Sequence, residues 1–144
     1  AFSPMAEQEQ IAFELVSPEQ LLLSEGADMV VIPGADGDIG AMYRHAPLIT
    51  SLKPGVVGLY DGRTVRERYF VAGGFAEITN ERCTVLAERP TKVSEMKRAD
   101  VEQELKNARE DVADAKSDDD RADAERRVEV ADAKLRALQT AEQG

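Results

Sequence analysis

Val56-Val57-Gly58-Leu59-Tyr60-Asp61-Gly62-Arg63-Thr64-Val65-Arg66-Glu67-Arg68-Tyr69-Phe70-Val71 reads as two strands and the turn between them. Asp-Gly accepts the positive backbone angles of a tight hairpin, and β-branched and aromatic residues flank it on both sides. Upstream, Ile11, Phe13 and Leu15 alternate with Ala12, Glu14 and Val16 before Ser17-Pro18 turns the chain. Leu21–Leu23, Met29–Ile32 and Leu48–Leu52 are short apolar runs, the last two closed by Pro33-Gly34 and Pro54-Gly55. Downstream, Gly73-Gly74 predicts a bulge or tight crossing before Phe75–Thr79, and Asn80-Glu81 turns into Cys83–Glu88. This spacing predicts a β-sandwich or flattened barrel of about ten short strands.

The pattern stops at Pro90. All six prolines lie at or before it, and all the aromatic residues lie before residue 76. Beyond Ser94, a candidate helix cap, Val101, Leu105, Ala108, Val112 and Ala115 recur at helical spacing. Ser117-Asp118-Asp119-Asp120 reads as a solvated acidic break, after which Ala124, Val128, Ala131, Leu135 and Leu138 repeat the rhythm. Two matching stripes across a short loop predict an antiparallel helical hairpin, packed through Val101, Leu105, Val112, Val128, Leu135 and Leu138. The expected fold class is α+β: a flexible extension over 1–10, a β-sandwich over 11–90 and a helical hairpin over 91–144. The stripes are rich in alanine, and a buried methylene contributes only about 0.8 kcal/mol. Two readings follow, a hairpin that opens or peels away at a cost of a few kcal/mol and one that stays folded.

Charge and composition exclude several functions. The 144 residues hold 28 acids and 18 bases, a net charge of −10. Such a protein has no basic face for nucleic acid and no attraction to anionic lipid. No apolar run is long enough to span or insert into a bilayer, and residues 1–10 lack the pattern of a signal peptide. The single Cys83 fits a reducing compartment, and one His, His45, leaves little for a metal site. The expectation is a soluble, cytosol-facing protein with no metal.

No catalytic constellation emerges. Gly34-Ala35-Asp36-Gly37-Asp38-Ile39-Gly40 is glycine-rich, but its acids would repel phosphate; it reads as an exposed contact loop or a hairpin turn. His45 precedes Ala46-Pro47 and reads as structural, and Cys83 as a small core residue. The residues themselves describe a non-catalytic β platform carrying an acidic two-helix arm.

One stretch is more specific. Gly37-Asp38-Ile39-Gly40, His45-Ala46-Pro47-Leu48-Ile49-Thr50, Leu52 and Pro54-Gly55 together resemble the signature of the epsilon subunit of bacterial rotary ATP synthases, called delta in mitochondria. Val71-Ala72-Gly73-Gly74-Phe75 with Glu77-Ile78, then Thr84-Val85-Leu86-Ala87, is similar to the family's second motif. The resemblance implies a rotor subunit of the central stalk, peripheral on the cytoplasmic face of the bacterial inner membrane. Its sandwich would join the gamma subunit to the polar loops of the proton-driven c-ring. Its hairpin would lie folded, or extend toward the alpha and beta subunits and obstruct ATP hydrolysis. The family's ring-contact acid falls on Asp38, beside Ile39, and the family histidine on His45. Tyr43-Arg44 stand where many relatives have Pro-Gly, so Arg44 would alter a c-ring or gamma contact.

Some relatives bind ATP through Ile/Leu-Asp-x-x-Arg-Ala. The corresponding Ser94-Glu95-Met96-Lys97-Arg98-Ala99 keeps Arg98 and Ala99 but has Glu95 for Asp, and Lys134 and Arg136 are approximate matches for further basic contacts. A triphosphate needs several converging cations, and this hairpin is acidic, so no cofactor is required and ATP binding is disfavoured. Two alternatives to the rotor reading are an ATP-sensing module and a chaperone-like binding module.

Overall fold

The computed structural model describes residues 9–143 and divides the protein into two units, one ending at Thr91 and one beginning at Lys92. The expected extension over 1–10 falls almost wholly outside the described residues. Ten strands precede the helices: β1 Ile11–Val16, β2 Leu21–Ala27, β3 Met29–Gly34, β4 Gly37–Ala41, β5 Leu48–Leu52, β6 Gly55–Asp61, β7 Thr64–Val71, β8 Gly74–Ile78, β9 Arg82–Leu86 and β10 Thr91–Lys92. They hydrogen-bond in the order β10-β7-β6-β3-β5-β8-β9-β1-β2, with β4 beside β3.

The Asp61–Thr64 pair closes the β6–β7 hairpin around Gly62 and Arg63. Gly62 has φ +62°, as the first central residue of a type II′ turn requires. At the corner, Met29–Val31 of β3 pair with β6, while Gly34 pairs with Leu52 of β5. The sheet thereby folds over on itself. Its interior is mostly aliphatic: Ile11, Val30, Ile32, Val57, Leu59, Val71, Cys83 and Val85 are fully enclosed with the ring of Phe13, and Tyr69 packs at the margin. Inward and outward residues alternate along β1 as the sequence period requires. Gly74, at φ +124°, lies so close to β9 that a Cβ there would collide with the Leu86 carbonyl oxygen. That is the tight crossing expected of Gly73-Gly74.

A bulge in β7 completes the fold. Leu59 pairs with Glu67 and Tyr60 with Val65, leaving Arg66 as the extra residue. The bulge aims the Arg66 guanidinium across the gap to β2, where it donates to Glu25 Oε1 and to the Gly26 carbonyl oxygen, both at 2.8 Å. A side chain thus joins strands that no backbone ladder links.

The second unit opens with a single 3-10 turn, Val93–Glu95, followed by helices α1, Arg98–Asp114, and α2, Asp118–Gln143. The Ser94 cap does not form. Helix α1 begins four residues later, after Lys97, whose side chain makes no capping bond. The acidic run is not a loop either. Asp118, Asp119 and Asp120 are the first turn of α2. Ser117 caps it, its Oγ accepting from the Asp120 N–H at 3.1 Å. Carboxylates at a helix N-terminus are stabilised by the peptide dipoles there, so a charge run that reads as solvated loop starts a helix instead.

Three ion pairs set the hairpin register: Arg98–Glu142, Lys134–Glu104 and Arg127–Asp111. Steps of six and seven residues along α1 answer steps of eight and seven back along α2, as antiparallel helices require. Of the expected packing residues, Val101, Leu105 and Leu138 are buried, while Val112, Val128 and Leu135 are half-exposed. Ala108, Ala124 and Ala131 complete the buried stripe.

Candidate docking surfaces

Asp38 and Ile39 lie on β4, so this segment is a strand rather than a loop; the hairpin turn itself is Ala35-Asp36. Asp38 pairs with Pro33 and is exposed, whereas Ile39 is half-buried and packs against the core. β4 pairs with β3 on one side only, so its backbone and the Asp38 carboxylate form an edge of the sheet.

Immediately after β4 the backbone turns. The His45 N–H donates to the Met42 carbonyl oxygen at 2.9 Å, enclosing Tyr43 and Arg44 in a four-residue turn. Arg44 has φ +73°, which makes the turn type II, with Tyr43 and Arg44 in the positions that favour Pro and Gly. This gives the Tyr43-Arg44 departure a physical meaning: a non-glycine residue in that conformation costs about 1 kcal/mol or more. The Arg44 N–H donates to the Asn80 carbonyl oxygen at 2.6 Å, tying the turn to the β8–β9 connection. His45 Nδ1–H donates to the Ala46 carbonyl oxygen at 2.6 Å, consistent with a structural histidine.

A second surface follows from register. Phe75 pairs with Leu86, Leu86 with Val16 and Val16 with Leu21, so one apolar row crosses β8, β9, β1 and β2. Phe75 is 59% exposed, and Leu21 and Leu86 are exposed as well. A shallow cavity of about 370 Å³ opens beside the row, lined by Pro18, Gly73, Phe75, Leu86 and Glu88 among others. In the sequence these residues belong to separate short apolar runs, and only the register shows that they align.

The hairpin brings none of the expected nucleotide contacts together as a free cationic cluster. Arg98 Nη2 is 2.8 Å from Glu142 Oε1, and Lys134 Nζ is 3.0 Å from Glu104 Oε2. Glu95 lies on the 3-10 turn, and Arg136 is exposed on α2. Asp111 and Asp123 both accept hydrogen bonds from Arg127 and raise its pKa further.

Chemistry of a catalytic kind has little support. Burial pushes the Cys83 thiol up to about 12, so it is not a nucleophile. Among the described residues no group of three or more His, Cys, Asp or Glu could hold a metal ion, and no helix is long and apolar enough to cross a membrane.

Two family models match this sequence. The β-sandwich domain of the ATP synthase delta/epsilon chain matches residues 10–92, and the C-terminal domain of the ATP synthase epsilon chain matches residues 97–143. The ATP synthase epsilon chain of Paramagnetospirillum magneticum is 52% identical over 130 residues, which are 90% of this chain and 98% of that one. The epsilon chain of Rhodospirillum rubrum is 47% identical over 129 residues, 90% of this chain and 96% of that one. Among solved structures, a subunit of the Euglena gracilis mitochondrial ATP synthase, in an assembly of OSCP, F1 and c-ring, superposes with a TM-score of 0.78 at 21% identity. The match covers 90% of this chain and 81% of that subunit. A subunit from the central stalk and c-ring of the Tetrahymena thermophila mitochondrial enzyme gives a TM-score of 0.57 at 12% identity, over 89% of this chain and 96% of that subunit. With both domains matched in order and relatives near half identity over almost the whole length, the chain belongs to the ATP synthase epsilon-chain family, whose members are non-catalytic subunits of that complex.

Proposed function

We propose that this protein is a rotor subunit that couples the gamma subunit to the c-ring, at the cytoplasmic face of the bacterial inner membrane. The observation that carries this reading is the apolar row Phe75–Leu86–Val16–Leu21, exposed at Phe75, Leu86 and Leu21. An apolar row left open to water fits a protein-binding face. Asp38, on the exposed edge strand β4, is the proposed contact to the polar ring loops, together with Ile39 and His45. The subunit itself supplies the joint between two machines and no reaction.

The hairpin is the proposed regulatory arm, reaching alpha and beta when extended. Its own charges favour a weak grip on an acidic partner. Helix α2 begins at Asp118, so its acids include Asp118, Asp119 and Asp120 as well as those beyond Ala122. Arg98 and Lys134 are bonded to carboxylates within the hairpin, and this supports a subunit that needs no ATP.

The test is co-purification. The tagged protein should retain gamma with alpha and beta, and Asp38→Ala should keep the fold while lowering proton-driven ATP synthesis. A protein that brings down none of these subunits is not a rotor component.

A further inference from the structure

Arg44 occupies a backbone position built for glycine. It is the third residue of a type II turn at φ +73°, and two hydrogen bonds hold it there, one closing the turn and one to Asn80. Among the described residues, the side chain meets the ring of Tyr43 and no charged group. The guanidinium makes no hydrogen bond or ion pair among the described residues, although acids outnumber bases by ten in the sequence. It lies 5.5 Å from the centroid of the Tyr43 ring, a cation–π contact. Beside it, Met42 is 55% exposed. The side chain therefore occupies a costly backbone position, lies over the ring of its neighbour and has no charged partner among the described residues.

We propose that Arg44 is a specificity residue of the docking surface: it takes a carboxylate on the partner subunit, with Met42 and Tyr43 as the apolar border of that contact. The proposal rests on the rotor reading above and adds the chemistry of one contact to it. A carboxylate fits because the planar guanidinium donates to it in two parallel hydrogen bonds. A protein partner is favoured over anionic lipid because a molecule of net charge −10 is repelled by an acidic membrane surface.

A stability–binding trade-off tests this. Full-length wild type, Arg44→Gly and Arg63→Ala are compared; Arg63 sits on the β6–β7 turn, so its variant removes the same charge elsewhere. Each is melted alone and titrated onto ATP synthase stripped of this subunit, at low and high salt, and onto vesicles containing phosphatidylglycerol. Arg44→Gly should melt about 4 °C higher, because glycine relieves the turn. It should bind the stripped complex about tenfold more weakly at low salt, the gap narrowing at high salt. Arg63→Ala should bind within twofold of wild type, and no form should bind the vesicles. The proposal is overturned if Arg44→Gly binds as wild type does, if it melts lower, if Arg63→Ala loses as much affinity, or if vesicles capture wild type through Arg44. Failure of wild type itself to bind the stripped complex would instead remove the rotor reading, and this inference with it.

Discussion

The sandwich and the hairpin of this protein hold themselves together by different means. In the sandwich, Phe13, Ile11, Ile32 and Leu59 are sealed from water, and Arg66 fastens β7 to β2, two strands that share no ladder. In the hairpin, half of the stripe positions that are buried are alanines, and the cross-helix links are exposed ion pairs. Apolar area sets the strength of a core, so the first region resists perturbation and the second responds to solvent conditions.

The largest expected effect comes from breaking the stronger side. Phe13→Ala removes a fully enclosed ring from the middle of β1 and should destabilise the sandwich by about 3–5 kcal/mol. Leu105→Ala, at a position of α1 that keeps some exposure, should cost the hairpin nearer to about 2 kcal/mol. Denaturant titrations followed by near-UV absorbance of the tyrosines for the sandwich, all of which precede Val71, and by helical circular dichroism for the hairpin separate the two. Equal costs at the two sites would erase the distinction between the cores.

Much of this contrast was legible in the sequence because it is written in composition. The last proline, Pro90, falls just before the final short strand and the helices. The strands β1, β5 and β7 have the bounds expected from alternation, from an apolar run closed by Pro-Gly and from the Asp-Gly hairpin respectively. The errors cluster where polar or glycine-rich residues form regular structure. β4, Gly-Asp-Ile-Gly-Ala, has too few apolar residues to declare itself; it forms because β3 offers it a ladder. The second half of β2, Ser24–Ala27, is held by β1 in the same way. Asp118–Asp120 read as a loop because their stabilisation is electrostatic, from a helix end that local hydropathy does not register. Asp38, Arg44 and His45 could be named from the family motif, but the strain at Arg44 and the alignment of Phe75, Leu86, Val16 and Leu21 depend on long-range geometry.

A smaller effect should come from salt. Raising ionic strength screens the pairs Arg98–Glu142, Lys134–Glu104 and Arg127–Asp111, all with exposed members, while leaving the sandwich interior untouched. Helical signal at a fixed temperature near the hairpin transition should fall modestly between low and high salt, and the sandwich transition should not move downward with it. A hairpin that gains stability with salt would show that its like charges, rather than its pairs, dominate.

The smallest expected effect lies inside the sandwich and tests whether it, too, has an electrostatic part. Asp28 accepts the Gly62 N–H through Oδ2 at 2.6 Å and the Gln10 side-chain amide through Oδ1 at 3.2 Å. The Gly62 bond first, then Gln10, with a further contribution from Arg66, lowers its pKa below the ordinary 3.8. A carboxyl whose folded pKa is depressed binds fewer protons in the folded state than in the unfolded one. Its contribution is therefore complete above the unfolded value and is lost as pH falls through the lower, folded one. Asp28→Asn removes the charge and keeps an oxygen for Gly62, so the stability difference between wild type and variant should be constant above about pH 5. It should then shrink steadily below 3.8. Because Asp28 is near the surface, solvent screening keeps the difference small, well below the cost of Phe13→Ala. Melting temperatures of the pair measured from neutral pH down to the acid limit of folding give the curve directly. A difference that does not change with pH would mean that Asp28 acts as a hydrogen-bond acceptor alone, and that the contrast between an apolar platform and an electrostatic arm is sharper still.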